Sequence, residues 1–219
     1  MAETMLSYLK DENEWKIKGF RITGSACDVL SPDQRQNLMK AVASIFNGKL
    51  NILINNAGIA PTKTVMDYTA EDVTEIMGTN FVSCYHLCQL AYPLLKASGY
   101  GSIVFISSVT GLKAFPSCSV YGASKGALNQ LTKNIALEWA KDNIRANAVA
   151  PGPVETVLLD SIVKSSGDEE KFLEASVSQT LVGRIGESRE ISPLVAFLCL
   201  PAASFITGQI IAADGGHII

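Results

Sequence analysis

The chain has 219 residues, of which 47% are hydrophobic and 18% are charged, so it can bury a core and is not a disordered segment. At this length we expect one globular domain over residues 1–219. The formal net charge is −3 and no long basic block occurs, which argues against a binder of nucleic acid or of anionic membranes. We therefore expect a small-molecule or protein partner.

The cysteines and the apolar stretches bear on the cellular compartment. The five cysteines include no Cys-x-x-Cys pair, and Cys84 and Cys88 lie one helical turn apart in an apolar stretch, as buried thiols do. Residues 1–15 hold no apolar signal core, and Pro201 and Gly208 interrupt the most apolar region, 191–211. The sequence predicts a reduced, cytoplasmic protein without a membrane span.

Short β-branched runs alternate with longer amphipathic stretches, which predicts an α/β fold with a parallel sheet between helices. Ser31 is the expected N-cap of the second helix, and Ile52-Leu53-Ile54 predicts a strand that is buried on both faces. In chain order we expect a helix over 4–17, a strand over 20–26, a helix over 32–46, a strand over 51–54, a helix from about residue 70, a helix over 80–96, a strand over 102–107, a helix over 121–141, a strand over 144–150, a helix over 187–200 and a strand over 210–213.

Polar residues follow four of these predicted strands. They are Asp28, Asn55–Gly58, Ser107-Ser108 and Ala150–Pro153. Ligands bind beyond the carboxyl ends of parallel strands in open α/β sheets, so the four groups predict one binding crevice.

The pattern Tyr-x-x-x-Lys occurs twice, at Tyr92/Lys96 and at Tyr121/Lys125. A separation of four residues puts both side chains on one helix face, where an ammonium can lower the pKa of a phenol. Tyr92 lies late in a helix, with no strand end before it, and is interpreted as structural. Tyr121 begins a helix, and a loop can return it to Ser108 at a strand end. The second pair is therefore the candidate for acid–base chemistry.

Several motifs together resemble the classical short-chain dehydrogenase/reductase family. They are NNAG at 55–58, Asn80 in MGTNF, ISS ending at Ser108, YGASK at 121–125, NAVAPG before Pro153 and ITGQIIAADGG from Ile206. The segments AYPLLKAS, LEWAKDNIR and FLCLPAASFITGQ resemble the tropinone reductase-like members of plants. The resemblance implies a Rossmann-like, doubly wound parallel sheet, NADP(H) as cofactor with NAD(H) as the alternative, and interconversion of a small ketone with its secondary alcohol.

The resemblance also implies roles for individual residues. Tyr121 would protonate the carbonyl oxygen, Ser108 would hydrogen-bond it, Asn80 would hold a water, and Lys125 would bind the nicotinamide ribose and lower the phenol pKa. The implied cofactor contacts are Asp28 and Val29 at the adenine, Asn56, Ala57 and Gly58 along the dinucleotide, Tyr121 and Lys125 at the ribose, and Pro151, Gly152, Val154 and Thr156 near the nicotinamide amide. Helices 80–96 and 121–141 form subunit interfaces in that family, so we expect a homo-oligomer.

The sequence departs from the family pattern at its start. It contains neither G-x-x-x-G-x-G nor G-x-G-x-x-G, and residues 4–17 resemble the helix that follows the family's second strand. We therefore expect an N-terminally truncated sheet without the first two strands. Because the pyrophosphate normally binds backbone N–H groups at a helix N-terminus, weakened cofactor affinity is expected as well.

Two other functions are compatible with parts of the sequence. Gly122-Ala-Ser124-Lys-Gly126 satisfies the G-x-S-x-G pattern of serine hydrolases, with His217 and either Asp160 or Asp214 as partners. A nucleophile elbow, however, needs a strand that runs directly into the serine. The other alternative is a truncated, non-catalytic interaction partner of the same family.

Overall fold

The computed structural model describes residues 23–219. They form a four-stranded parallel sheet with helices on both faces and a small two-stranded parallel sheet beside it. The helices are α1 (Pro32–Ile45), α2 (Ala70–Met77), α3 (Ser83–Ser98), α4 (Ser119–Trp139), α5 (Val157–Ser165), α6 (Glu169–Ser178) and α7 (Ser188–Cys199). The strands are β1 (Ile52–Asn55), β2 (Gly101–Ile106), β3 (Ile144–Pro151), β4 (Val154–Glu155), β5 (Gly186–Glu187) and β6 (Ile210–Ala213).

The main sheet has the order β1-β2-β3-β6, and its core lies on both faces of β2 and β3. Successive residues of a strand point to opposite faces. Ile103 and Phe105 accordingly pack into a cluster with Leu95 and Leu128 of α3 and α4, whereas Val104 packs into a second cluster with Leu198 of α7. All six of these side chains are at most 1% exposed. The continuous apolar run in β2 is thus explained by helices on both sides.

Most of the predicted elements are present, with ends that differ by a few residues. Ser31 caps α1 as predicted, because its Oγ accepts a hydrogen bond from Gln34 N at 3.3 Å. The predicted helix over 4–17 and the first three residues of the predicted strand over 20–26 lie outside the described residues. Residues 23–26 form no strand, so the prediction was wrong for that part. Helices α5 and α6 and strands β4 and β5 were not predicted.

Strand β1 is less buried than its sequence suggested. Ile52 and Ile54 are 41% and 47% exposed, whereas Asn55 at the end of the strand is buried. Within the described residues β1 pairs only with β2, so it is an edge strand of this sheet. The prediction of burial on both faces was therefore wrong: an apolar run does not show whether a strand is central or at an edge.

Helices α2 and α3 are joined by a π-helical turn over Gly78–Val82, which contains Asn80. A β-carbon on Gly78 would lie 2.8 Å from Leu30 Cδ2, so the glycine lets the segment before α1 pack on this turn. Such π turns frequently occur at functional sites. Asn80 consequently lies in the interior, 0% exposed, rather than on a regular helix face.

Between residues 23 and 219 no helix is long and apolar enough to span a membrane. The same residues hold no group of three His, Cys, Asp or Glu side chains that could bind a metal ion. All five cysteines are free thiols, and Cys84 and Cys88 are buried as predicted.

Candidate active site

The start of α4 packs closely against the segment that follows β2. That segment is a 3-10 turn, Val109–Gly111, capped by the Ser108 hydroxyl, which accepts from Thr110 N at 3.2 Å. A β-carbon on Gly122 would lie 2.8 Å from the Thr110 carbonyl oxygen, and one on Gly111 would lie 2.8 Å from the α4 backbone. The two glycines allow this approach, which brings Ser108 beside Tyr121.

The Tyr121 side chain is buried at 8% exposure, close to Ser108. Burial raises the pKa of Tyr121 to about 12, although its hydrogen bond with Ser108 acts in the opposite direction. The net shift is thus opposite to the lowered pKa that was expected for this phenol, because burial disfavours the phenolate more than its polar neighbours favour it. At neutral pH the phenol is protonated, and it can act as a proton donor.

Lys125 lies one turn further along α4 and is 4% exposed. Its Nζ donates to the Ile106 carbonyl oxygen at 2.8 Å, at the end of β2, and lies 5.5 Å from the centre of the Tyr121 ring. Burial lowers the pKa of Lys125 to about 8. The site thus holds a buried cation that loses its proton only slightly above neutral pH.

Asn80 connects the loop after β1 to helix α4 through hydrogen bonds. Its Oδ1 accepts from Ile59 N at 2.9 Å, and its Nδ2 donates to Ile59 O at 2.9 Å and to Ser124 Oγ at 3.0 Å. A β-carbon on Gly58 would lie 3.3 Å from Asn80 Oδ1 and 3.4 Å from Lys125 Nζ. Asn80, Gly58 and Lys125 therefore meet at the carboxyl end of the sheet.

The second Tyr-x-x-x-Lys pair lies in a different environment on α3. Tyr92 Oη donates to Asp142 Oδ2 at 2.6 Å, and Lys96 Nζ forms an ion pair with Asp142 Oδ1 at 2.9 Å. The Tyr92 ring packs on Trp139, with ring centres 4.7 Å apart. The Lys96 side chain is 55% exposed. Asp142, 50 residues from Tyr92, was not predicted as their common partner.

One polar residue of this region, Asn129, was not predicted from the sequence. Asn129 is buried on α4, accepts from Ser107 Oγ at 2.7 Å and donates to Gly111 O at 3.1 Å. It thereby fixes the turn that carries Ser108. Tyr121, Lys125 and Asn129 are spaced four residues apart and share one helix face, so this spacing could have revealed it.

The residues implied at the adenine lie in the segment before α1. Asp28 is exposed, and its Oδ1 accepts from Leu30 N at 3.0 Å. The buried Arg35 guanidinium donates to the Val29 carbonyl oxygen and, through Nε, to His86 Nδ1 at 2.9 Å. This segment is thus fastened to both α1 and α3, while the Asp28 carboxylate stays open to solvent.

The other implied cofactor residues follow β1 and β3. Asn56 and Ala57 are exposed, and Thr156 caps α5 by accepting from Leu159 N at 3.2 Å. Pro151, Gly152 and Val154 are partly buried. A β-carbon on Gly152 would lie 2.9 Å from Asp214 Cα, so the turns after β3 and β6 touch there.

The donors near Gly58 fit the ribose end of a nicotinamide cofactor. An ammonium has three N–H donors, yet among the described residues Lys125 Nζ meets a single acceptor, Ile106 O. Gly58 leaves the adjoining space without a side chain. Hydroxyl groups of a sugar can accept the remaining donors, so Lys125 together with the Asn56–Gly58 backbone could hold that part of the cofactor.

The hydrolase alternative does not agree with this geometry. Ser124 lies inside α4, is 0% exposed, donates to Tyr121 O at 2.7 Å and accepts from Asn80. The hydroxyl is therefore engaged and inaccessible. The G-x-S-x-G pattern has another explanation here, since the helix packs on the 3-10 turn through its glycines.

Comparison with known proteins gives the class of this chain. A family model described as enoyl-(acyl carrier protein) reductase matches residues 2–217. The chain belongs to the short-chain dehydrogenase/reductase family of oxidoreductases, as its Rossmann-like sheet and the predicted motifs indicated.

Its relatives place it more narrowly beside plant tropinone reductase homologs. One from Arabidopsis thaliana is 54% identical over 207 residues, which are 94% of this chain and 77% of the relative. One from Datura stramonium is 54% identical over 206 residues, 94% of this chain and 76% of the relative.

Solved structures of the family have the same fold. A 7α-hydroxysteroid dehydrogenase in complex with NADH and 7-oxo glycochenodeoxycholic acid matches with a TM-score of 0.88 and 30% identity, over 98% of this chain and 80% of that one. ElxO with NADP bound matches with a TM-score of 0.85 and 29% identity, over 99% of this chain and 84% of that one.

Proposed function

We propose that this chain is an NADP(H)-dependent reductase that interconverts a small ketone and its secondary alcohol. The observation that carries the proposal is the cluster at the carboxyl end of β2, where a buried, protonated phenol lies beside a serine hydroxyl and a buried lysine. A proton donor in a site closed to water is what carbonyl reduction requires of the protein. The family of the chain supports the same reaction class.

In the proposed mechanism the residues act on the carbonyl oxygen. Bound NADPH supplies the hydride. Tyr121 holds a proton on Oη and donates it to that oxygen, while Ser108 hydrogen-bonds the oxygen and orients the phenol. Lys125 binds the ribose hydroxyls, and its positive charge stabilises the phenolate left after proton transfer.

Asn80 has a positioning role in this proposal. Its amide is bound on both atoms to Ile59 and Ser124, so it sets the distance between the loop after β1 and helix α4. The water-holding role implied by the family resemblance would therefore need another atom of this residue. The proposed cofactor contacts remain Asp28, Val29 and those after β1 and β3.

The proposed substrate and cofactor are supported by relatives. Tropinone reductase homologs at 54% identity favour a small cyclic ketone, and ElxO structures with NADP and with NADPH favour the phosphorylated cofactor. The hydroxysteroid dehydrogenase structure contains NADH instead. Both cofactors therefore belong in the test.

The test combines binding with turnover. Calorimetric titration of the 219-residue protein with NADPH and with NADH measures affinity, and loss of dihydronicotinamide absorbance measures reduction of tropinone, cyclohexanone and 7-oxo glycochenodeoxycholic acid. We expect binding of NADPH ahead of NADH, and reduction of a small cyclic ketone. Absence of binding by either cofactor would favour the non-catalytic alternative.

We also propose that the chain is one Rossmann-like domain and assembles into a homo-oligomer. Both apolar clusters pack on the same sheet, which favours cooperative unfolding. Apolar side chains are exposed on the helices expected at the interface, with Leu137 of α4 at 79% and Tyr85 of α3 at 45%. Light scattering of the purified protein tests the assembly: a monomer across the working concentration range would contradict it.

A further inference from the structure

The chain between Ser108 and Tyr121 leaves the site and returns to it. Its outer part is the Leu112–Cys118 segment, whose last residue is the N-cap of α4 and lies close enough to Tyr121 to act on the pKa of the phenol. One end of this segment is fixed at Ser117, whose carbonyl oxygen accepts from Lys63 N at 3.1 Å and from Tyr68 Oη at 3.3 Å. Its middle is held by a different contact, between Phe115 and His217.

His217 stands on a firmly bound turn that follows β6. The Asp214 carboxylate accepts from Gly216 N at 3.0 Å and from Ile218 N at 3.1 Å. Gly215 and Gly216 have φ angles of +63° and +80°, which glycine adopts without strain. The His217 ring is consequently held at 8% exposure, although Ile219 two residues later is 98% exposed.

The rings of His217 and Phe115 are stacked. Their centres are 5.3 Å apart and their planes are inclined by 15°. Burial is the main cause that lowers the pKa of His217, so the imidazole is a neutral aromatic partner at pH 7. Among the described residues its buried Nδ1 has no hydrogen-bond partner, which is uncommon for a buried polar atom.

We infer that His217 is a positioning residue for the proposed reduction: it clamps Phe115 and so holds the Leu112–Cys118 segment in the form that binds substrate. We call this contact the His217–Phe115 clamp. Its expected effect on turnover rests on the proposed function, whereas its expected effect on the conformation of the segment does not. His217 acts through Phe115 and donates no proton. Its removal should therefore raise KM and leave kcat nearly unchanged.

Three variants distinguish the contribution of ring stacking from that of the imidazole nitrogen. His217→Ala removes the ring, His217→Phe keeps a ring that can stack, and Phe115→Ala removes the partner. An aromatic pair of this kind corresponds to about a three- to tenfold change in equilibrium. His217→Phe should also melt at a temperature at least as high as the parent protein, because it removes a buried polar atom without a partner.

The first measurement is hydrogen exchange of the Leu112–Cys118 segment in the ligand-free protein, followed by mass spectrometry. We expect exchange to be about three- to tenfold faster in His217→Ala and in Phe115→Ala, unchanged in His217→Phe, and unchanged in β2 in every variant. Equal exchange in His217→Ala and the parent protein would overturn the clamp. If His217→Ala does not fold, Phe115→Ala decides the same question.

The second measurement is the steady-state reduction of tropinone with NADPH. We expect KM to rise about three- to tenfold in His217→Ala, with kcat within about twofold, and both constants to be restored in His217→Phe. A raised KM in His217→Phe equal to that of His217→Ala would overturn the clamp, because stacking would then not be the cause. Faster exchange in His217→Ala together with no reduction of any tested ketone by the parent protein would overturn the proposed function and leave the clamp.

Discussion

Two tyrosine–lysine pairs with identical spacing have opposite surroundings in this molecule. On α4, Tyr121 and Lys125 are 8% and 4% exposed and lie beside Ser108 and the end of β2. On α3, the Lys96 side chain is 55% exposed, and both members of the pair bind the Asp142 carboxylate. Burial lowers the pKa of Lys125 to about 8, whereas the hydrogen bond with Asp142 raises the pKa of Lys96.

The difference shows what the spacing does and does not determine. Four residues along a helix place a phenol and an ammonium on one face in both cases. Whether the pair can do chemistry depends on the residues that meet that face. A carboxylate fixes the α3 pair as a structural contact, while the α4 pair has no such carboxylate among its described contacts and faces Gly58, which carries no side chain.

The largest expected effect separates the two tyrosines. Tyr121→Phe should lower the rate of ketone reduction by about 10²- to 10⁴-fold, because the ring is kept and only the proton donor is lost. Tyr92→Phe keeps its packing on Trp139 and should leave the rate within about twofold of the parent value. Steady-state kinetics with NADPH check both variants. Equal losses in the two would contradict the assignment of roles.

The second prediction concerns the two lysines. Lys125→Met should abolish most of the activity yet stabilise the fold by up to about 3 kcal/mol at pH 7, since burial of the ammonium disfavours the native state. The native state binds fewer protons than the unfolded state between pH 8 and 10.5, so this advantage should shrink as pH rises through that range. Denaturant unfolding at several pH values measures it, with Lys96→Met as the matched surface control.

The third prediction concerns the decline of the reduction rate at high pH and identifies the group that causes it. Because the pKa of Lys125 is about 8 and that of Tyr121 about 12, ketone reduction should decline above pH 8 as the ammonium loses its proton, while the phenol stays protonated. The decline should approach about tenfold per pH unit. Lys125→Arg keeps its charge at these pH values, so the decline should be absent from its profile. If the rate of Lys125→Arg declines above pH 8 as that of the parent protein does, the decline is caused by another group.

The smallest effect is expected at Asp142. Asp142→Asn removes the ion pair with Lys96, whose own side chain is 55% exposed, and keeps an amide oxygen that can accept the hydrogen bond from Tyr92. A small drop in melting temperature should result, with ketone reduction within about twofold of the parent rate. Thermal unfolding and kinetics on the same sample provide the check. A large loss of activity would mean that the α3 pair takes part in the reaction.

Much of the fold and the choice between the two pairs could be predicted from the sequence, for identifiable reasons. Strands β2 and β6 contain consecutive β-branched residues and are bounded by turn residues. Tyr121 follows a strand whose polar end includes Ser108, whereas Tyr92 does not. The exposure of β1 could not be predicted, because its apolar residues do not reveal which strands lie beside it.

The pKa shifts of the site and several of its contacts could not be predicted, because they depend on residues that are far apart in the sequence. The direction of the Tyr121 pKa shift follows from burial, which depends on how Gly111 and Gly122 let the 3-10 turn approach α4. Asp142 is 50 positions from Tyr92, and His217 meets Phe115 from the far end of the sequence. Side-chain pairs at such separations leave no periodic signal.

The most direct measurement is an NMR titration of the lysine side chains, with Lys125→Arg and Lys96→Arg to assign the two resonances. It requires neither cofactor nor substrate. If the α4 pair is buried and the α3 pair is bound to a carboxylate, Lys125 titrates near pH 8 and Lys96 titrates above the ordinary lysine value. Titration of both lysines at the ordinary value would contradict the difference between the two pairs.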